Sequence, residues 1–428
     1  MNQYPPMQKA KTLRDIYNNF EGNRALGEEE YEDFFVNLYD KKLKRFLFSI
    51  ESNMVYEKMF FIAGQQGNGK STILNVLKQE NKNFADKYEI RHLQTKDIFQ
   101  YQDISIIDIL FAIALDFLDN TQDDNKEKLS NKFKEQLNEL ADLSSGEIEK
   151  IESSFSEEKI HISLKSSISL IMNAILAKGS LSANANYNAN AGIRQVVKKI
   201  YKFNIELLLN LVNAIISSYK QAINSDKEIL LIIDGLEKTT EVANITKVFV
   251  NDIGVLKNLK CFKIVTIPIY LKERAKNSNV EIIDFTMEAD DECKIKQTDL
   301  LKEVISKRIE NEALLTDKAI DLAVQKSGGN IRLLLNIIQD AARESITISE
   351  TDAIDVQEIK SAVSLIGGTM STTAQMNREF LKKIREHKQA DKEEGEILNE
   401  MINRGLVFAY CNGKTQYNIN PTIEASLE

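Results

Sequence analysis

The chain has no tryptophan, four prolines, three histidines and three cysteines among its 428 residues. Cys261, Cys293 and Cys411 lie far apart without Cys-x-x-Cys spacing. That excludes a disulfide scaffold, and the cysteines read as reduced, buried thiols of a cytoplasmic protein. His92, His161 and His387 are scattered and have no acidic or Cys neighbours at ligand spacing. No separate nuclease, protease or nucleobase-modifying centre is expected from them. An excess of positive charge is also missing, since 55 Lys and Arg face 64 Asp and Glu for a formal charge of −9. Bulk attraction to nucleic acid or an anionic membrane is therefore excluded, and any basic site has to be local. The apolar run at 169–176 is too short to span a bilayer. The first residues, MNQYPPMQKAK, carry no apolar core of a signal peptide. What remains is a globular composition, 43% hydrophobic and 28% charged, in a chain long enough for about two to four domains.

Glycine is scarce as well, with 17 in the chain, yet Gly64, Gly67 and Gly69 fall within six residues. The segment reads Gly64-Gln65-Gln66-Gly67-Asn68-Gly69-Lys70-Ser71-Thr72 after the apolar Met59-Phe60-Phe61-Ile62-Ala63 and before the periodic Ile73-Leu74-Asn75-Val76-Leu77. This is the G-x-x-x-x-G-K-[ST] pattern between a buried strand and a helix. Phosphates require several backbone N–H groups converging on one point, which glycine permits through positive φ and close approach. Lys70 is expected to reach the β- and γ-phosphates of ATP, and Ser71 to ligate Mg²⁺.

A phosphate loop needs an acidic strand to hold that metal. Residues 227–237, Lys-Glu-Ile-Leu-Leu-Ile-Ile-Asp-Gly-Leu-Glu, supply an aliphatic strand with Asp234 at its C-terminal end. Ligands of open α/β sheets bind at that end, so Asp234 is the second expected metal ligand. The following position is Gly235 rather than an acid, and Glu237 is the conditional water-orienting residue.

Together with Ser327-Gly328-Gly329-Asn330-Ile331-Arg332, these segments resemble P-loop NTPases of the AAA+ and STAND branches, more narrowly the origin-recognition-type ATPases and their bacterial relatives. Residues 12–17, Phe34-Phe35 and 103–110 share in the resemblance, which covers most of the chain except roughly 120–225. It implies an α/β P-loop core with a mostly parallel sheet, a helical insertion, an α-helical lid and a C-terminal winged helix. It further implies that Thr266, at the end of the strand 263–268, senses the γ-phosphate, and that Arg332 is the sensor-2 arginine. The "DGLE" at 234–237 matches the STAND form, implying slow hydrolysis and switch behaviour. Arg274 and Arg308 are both candidates for an arginine finger acting in trans. Bacterial relatives of this kind often sit in phage-defence or mobile-element systems, which the resemblance offers as a context.

The expected organisation is an N-terminal helical segment (1–57), the first part of the core (58–118), a helical insertion (119–225), the second part of the core (226–290), a helical lid (291–350) and a winged-helix-like domain (351–428). Residues 121–158 are polar and read as solvated helices or a mobile excursion. Residues 179–192 alternate small and polar side chains and read as a surface loop or an assembly edge. One amphipathic helix is expected over 106–118 and another over 196–220, the latter with Phe203 on its buried stripe. Asn412-Gly413 signals a two-residue type I′ turn. The second helix of the winged helix begins Asp391-Lys392-Glu393-Glu394-Gly395-Glu396, acidity that disfavours DNA and favours a protein partner or self-assembly. Arg385, Lys388, Arg404 and Lys414 leave a weaker basic option for a DNA-binding initiator or loader. A non-hydrolytic nucleotide-bound scaffold is the other alternative.

Overall fold

The aliphatic runs at 59–64, 228–234 and 262–268 form the centre of one parallel sheet. A computed structural model describes residues 7–52, 59–77, 82–95, 104–121, 123–138, 145–157, 169, 171, 191–223, 226–236, 242–276 and 280–428. Strands β1 (Met59–Gly64), β2 (Tyr88–Gln94), β3 (Glu228–Asp234), β4 (Phe262–Pro268) and β5 (Glu281–Asp284) are all parallel and lie in the order β2-β3-β4-β1-β5. The α/β class with a parallel sheet and a phosphate loop after β1 is thus the observed fold.

Helices cover both faces, as continuous apolar strands require. In chain order the principal ones are α1 (Leu13–Asn19), α2 (Asp40–Glu51), α3 (Lys70–Asn75), α4 (Ile106–Asp119), α5 (Ala191–Lys202), α6 (Ile205–Ala222), α7 (Thr298–Ser306), α8 (Asp317–Ser327), α9 (Ile331–Glu344), α10 (Val356–Met376), α11 (Arg378–His387) and α12 (Gly395–Asn403). Alternation along the strands sorts their side chains into two cores. Phe61, Ala63, Ile229, Leu231, Ile233, Val265 and Ile267 pack with α4, α5 and α6. Phe60, Ile62, Leu230, Ile232 and Ile264 pack on the other face with α1, α2, α3 and the helices α7 to α9. By the same alternation His92, Gln94, Asp234 and Thr266 belong to this second face, the one that carries α3.

Three local expectations are corrected. Helix α4 is not amphipathic in place, because all its residues except Asp116 and Asp119 are buried. Its outer side is covered by α5 and α6, which return from a hundred residues later in the sequence. The fully buried Asp108 is consequently paired with Arg194 (3.2 Å) and Lys198 (3.1 Å), and it also caps the helix through Ser105. A buried carboxylate without such partners is strongly destabilising. The helix expected over 196–220 is two helices, α5 and α6, bent by 110°. The break falls at Phe203, which is 47% exposed rather than on the buried stripe. The chain reversal between β6 (Val407–Asn412) and β7 (Lys414–Ile419) centres on Gly413 alone, since Asn412 pairs directly with Lys414. A φ of +71° at Gly413 makes this tighter reversal possible.

This hairpin meets the segments that follow β1 and β5, and α10 packs on α9. Strand β6 sends Val407 and Ala409 into the first core and Phe408 and Tyr410 into the second. Cys261 and Cys293 are buried as expected, whereas Cys411 on β6 is partly exposed. Among the described residues, no single helix is long and apolar enough to cross a membrane. Most of 179–192 lies outside the described residues.

Candidate functional site

The phosphate loop turns on two left-handed glycines, Gly67 (φ +85°) and Gly69 (φ +80°), the second capping α3. Lys70 is 4% exposed, and its Nζ donates to the carbonyls of Gly64 and Gln65, both at 2.9 Å. The lysine therefore lies folded over its own loop. The Asn68 side chain donates to the Phe285 carbonyl at 3.2 Å and anchors the loop to the residue following β5. Ser71 faces the pocket. Thr72 also lines it, and its hydroxyl accepts from the Leu26 N–H at 3.2 Å. Asn75, one turn on, donates to the Leu26 carbonyl at 2.8 Å. Together they fasten the N-terminal segment to α3.

Behind the loop, parallel register places Gln94 opposite Asp234 and Ile62 opposite Thr266. Asp234 is 3% exposed. Thr266 is fully buried, and its hydroxyl accepts from the Gly235 N–H at 2.8 Å, tying the end of β3 to β4. His92 had no acidic neighbour in sequence, but the fold brings its Nε2 to 3.8 Å from the Asp234 carboxylate. That buried nitrogen makes no hydrogen bond.

The pocket above the loop is closed by segments from both ends of the chain. Its lining combines 66–73 with 22–26, 34–39, Gln94, Val304, Arg308, Ile331, Arg332 and Leu335. Asn330 caps α9 through the Leu333 N–H (3.0 Å), and its Nδ2 donates to the Gln66 carbonyl (2.6 Å). The Arg332 N–H donates to the Gly67 carbonyl at 3.1 Å, and its Nε to the Gly22 carbonyl at 3.4 Å. A Cβ on Gly67 would run into the Asn330 side chain and lie 2.7 Å from the Arg332 Cβ. Glycine is needed there for close approach as well as for φ.

Arg308 is buried inside this same pocket wall, 5% exposed, and its Nη1 donates to the Val304 carbonyl at 2.7 Å. Burial lowers its pKa to about 10, opposed by the nearby Glu30 and reinforced by Arg24. Glu30 in turn is held by Arg24 and by the N–H groups of Met7 and Gly27. An arginine enclosed in this way does not project toward a neighbouring subunit, so the trans-finger expectation for Arg308 is corrected. Arg274 sits on the short helix Lys272–Ala275 and does not line the pocket. Glu237 lies outside the described residues.

On its opposite flank the loop meets the C-terminal hairpin. Gln65 is 5% exposed, and its amide is paired twice with β6: Nε2 donates to the Val407 carbonyl, and Oε1 accepts from the Ala409 N–H, each at 3.0 Å. The same strand is bridged through Cys411 to Met287 and Ala289, and the Tyr410 hydroxyl donates to the Gly328 carbonyl at 2.8 Å. Gln65 was foreseen only as part of the loop. The contacts of Asn330, Gln65 and His92, and the pocket wall at 22–26, had no local sequence signal.

No family model matches the chain, and no curated protein matches it. Among solved structures it is similar to the Orc1 protein of Aeropyrum pernix, determined in complex with DNA, with 11% identity, 92% of this chain and 93% of that chain covered, and a TM-score of 0.39. It is similar to Cdc6p from Pyrobaculum aerophilum at 10% identity, covering 100% and 95%, with a TM-score of 0.35. A RuvB variant of Thermotoga maritima gives 12% identity, 92% and 95% coverage, and a TM-score of 0.37. These values describe a distant likeness of arrangement and assign no residue a role.

Proposed function

We propose that the chain is an ATP-binding, Mg²⁺-dependent switch ATPase of the AAA+/STAND kind, which couples its nucleotide state to self-assembly or to a protein partner. One observation supports this reading above the others. A single phosphate loop is bonded on one side to the start of α9, through Asn330 and Arg332, and on the other to the C-terminal hairpin, through Gln65. Any rearrangement of the loop around phosphates is then felt at both.

In this reading the N–H groups of 64–72 and the Lys70 ammonium hold the phosphates, Lys70 exchanging its two loop carbonyls for phosphate oxygens. The Ser71 hydroxyl and the Asp234 carboxylate are oxygen donors of the type Mg²⁺ prefers. When bound, the metal would neutralise charge on the β- and γ-phosphate oxygens. Thr266 reports the γ-phosphate through its tie to Gly235, and Arg332 does so from the start of α9. Glu237 is the candidate acid for orienting water. The helices α7 to α9 act as the lid and the C-terminal helices with the hairpin as a winged-helix-like module.

The test is nucleotide affinity together with the oligomer size of the purified chain in ADP, ATP and a slowly hydrolysed analogue. ATP is expected to change the size, and Lys70→Ala to lower ATP affinity by at least about 30-fold and abolish that change. Normal ATP binding by Lys70→Ala would show the assigned site to be wrong.

The initiator or loader reading stands beside this one, since only part of the basic surface of the C-terminal module is engaged by acids. Lys383 is bonded to Asp391 (2.6 Å) and Glu394 (2.8 Å), and Arg404 is paired with Glu400 at 2.9 Å. Salt-dependent duplex binding lost on changing Arg385, Arg404 or Lys414 would favour it. Retained ATP affinity without turnover would favour the non-hydrolytic scaffold.

A further inference from the structure

The end of β3 poses a chemical problem. Hydrolysis requires a group that orients water for in-line attack, and the residue after Asp234 is a glycine whose N–H is committed to Thr266. The neighbouring strand offers a solution. Gln94 is the last residue of β2, in register with Asp234 and on the same face of the sheet. It is also part of the pocket wall shared with Lys70 and Ser71.

We propose, resting on the ATPase reading above, that Gln94 orients the attacking water. A carboxamide suits the task because its oxygen can accept a hydrogen bond from the water while its NH₂ donates to a γ-phosphate oxygen. In the step itself the water oxygen forms a bond to the γ-phosphorus, and the bond from phosphorus to the β,γ-bridging oxygen breaks. The electron pair leaves on ADP. The water proton passes to a phosphate oxygen, because an amide cannot hold it. The protein's part in the step is then to orient the water and not to abstract its proton. His92, two residues earlier on the same face and beside Asp234, lines a neighbouring cavity together with Gln94.

The experiment compares the wild-type chain with Gln94→Leu, which keeps the side chain's approximate size and removes its hydrogen bonding, and with Glu237→Gln. The readouts are single-turnover hydrolysis of prebound ATP and separate dissociation constants for ATP and ADP. In Gln94→Leu, hydrolysis of bound ATP is expected to fall roughly 100-fold, while both affinities stay within about threefold of wild type. Unchanged hydrolysis in Gln94→Leu overturns the proposal, as does weaker binding of both nucleotides with hydrolysis of the bound fraction intact. Loss of hydrolysis in Glu237→Gln alone assigns the water to Glu237 and overturns Gln94 while sparing the ATPase reading. A wild-type chain that holds ATP and never hydrolyses it overturns both.

Discussion

The phosphate loop touches the rest of the chain on two flanks, and the two contacts are built on opposite principles. Toward α9 the contact depends on a missing side chain: Gly67 lets Asn330 and the Arg332 backbone come to within hydrogen-bonding distance of the loop. Toward the hairpin it depends on a side chain being present, the Gln65 amide serving as an extra rung on the edge of β6. Backbone approach gives stiffness close to the ligand. A side-chain rung can be broken and remade without rebuilding the loop. On the ATPase reading proposed above, the α9 contact belongs with nucleotide binding, whereas the hairpin contact is the separable one through which a change of state can pass.

The largest effect that tests this division is expected at Gly67. Substituting alanine forces an L-residue into left-handed backbone at a cost of roughly 1–2 kcal/mol, before the collision with Asn330 and Arg332 is counted. The start of α9 has to move away from the loop, and ATP affinity is expected to fall by more than about tenfold in a titration. Hydrogen exchange at Ala409 should stay unchanged, since the hairpin rung is untouched. Loss of protection at Ala409 in Gly67→Ala would mean that the two flanks are one unit.

The complementary change is Gln65→Leu, similar in size and unable to bond. It strands the Val407 carbonyl and the Ala409 N–H at a buried edge, at about 1–3 kcal/mol for groups left unpaired. Faster exchange at Ala409 and a lower unfolding temperature are expected, with ATP affinity kept within about threefold. If ATP-dependent assembly also disappears, the hairpin rung carries the signal. If affinity falls as far as in Gly67→Ala, the comparison between the flanks fails.

The two flanks also differ in how far they could be read from sequence. Clustered glycines before Lys70 and an aliphatic run ending in Asp234 announce themselves, because phosphate and metal chemistry constrain neighbouring positions. The start of α9 enters through the resemblance alone, as the Gly328-Gly329 pair ahead of Arg332. The Gln65 rung joins residues 342 positions apart and has the appearance of any variable loop residue. Likewise the Asp108–Arg194 pair, 86 residues apart, is what turns an apparently amphipathic helix into a buried one. Periodicity shows which side chains are apolar, not how many sides another element will cover. His92 illustrates the same limit at the site: only strand order brings it beside Asp234.

A third contact lies between these two kinds and should give the smallest effect. The N-terminal segment reaches the pocket through Leu26, whose N–H and carbonyl are held by Thr72 and Asn75 of α3. This combines backbone on one partner with side chains on the other. Thr72→Val preserves the shape of a partly exposed residue and removes one acceptor, so a loss of about 0.5–1.5 kcal/mol in stability is expected. The Asn75 bond remains, and the segment should stay docked but open more often. Its opening loosens the wall at 22–26, which also carries the Gly22 carbonyl that accepts from Arg332. ATP, ADP and adenosine should then weaken by the same few-fold factor when Thr72 acts only as a tether. A larger loss for ATP than for adenosine would place Thr72 with the phosphate-binding residues and not with the tether.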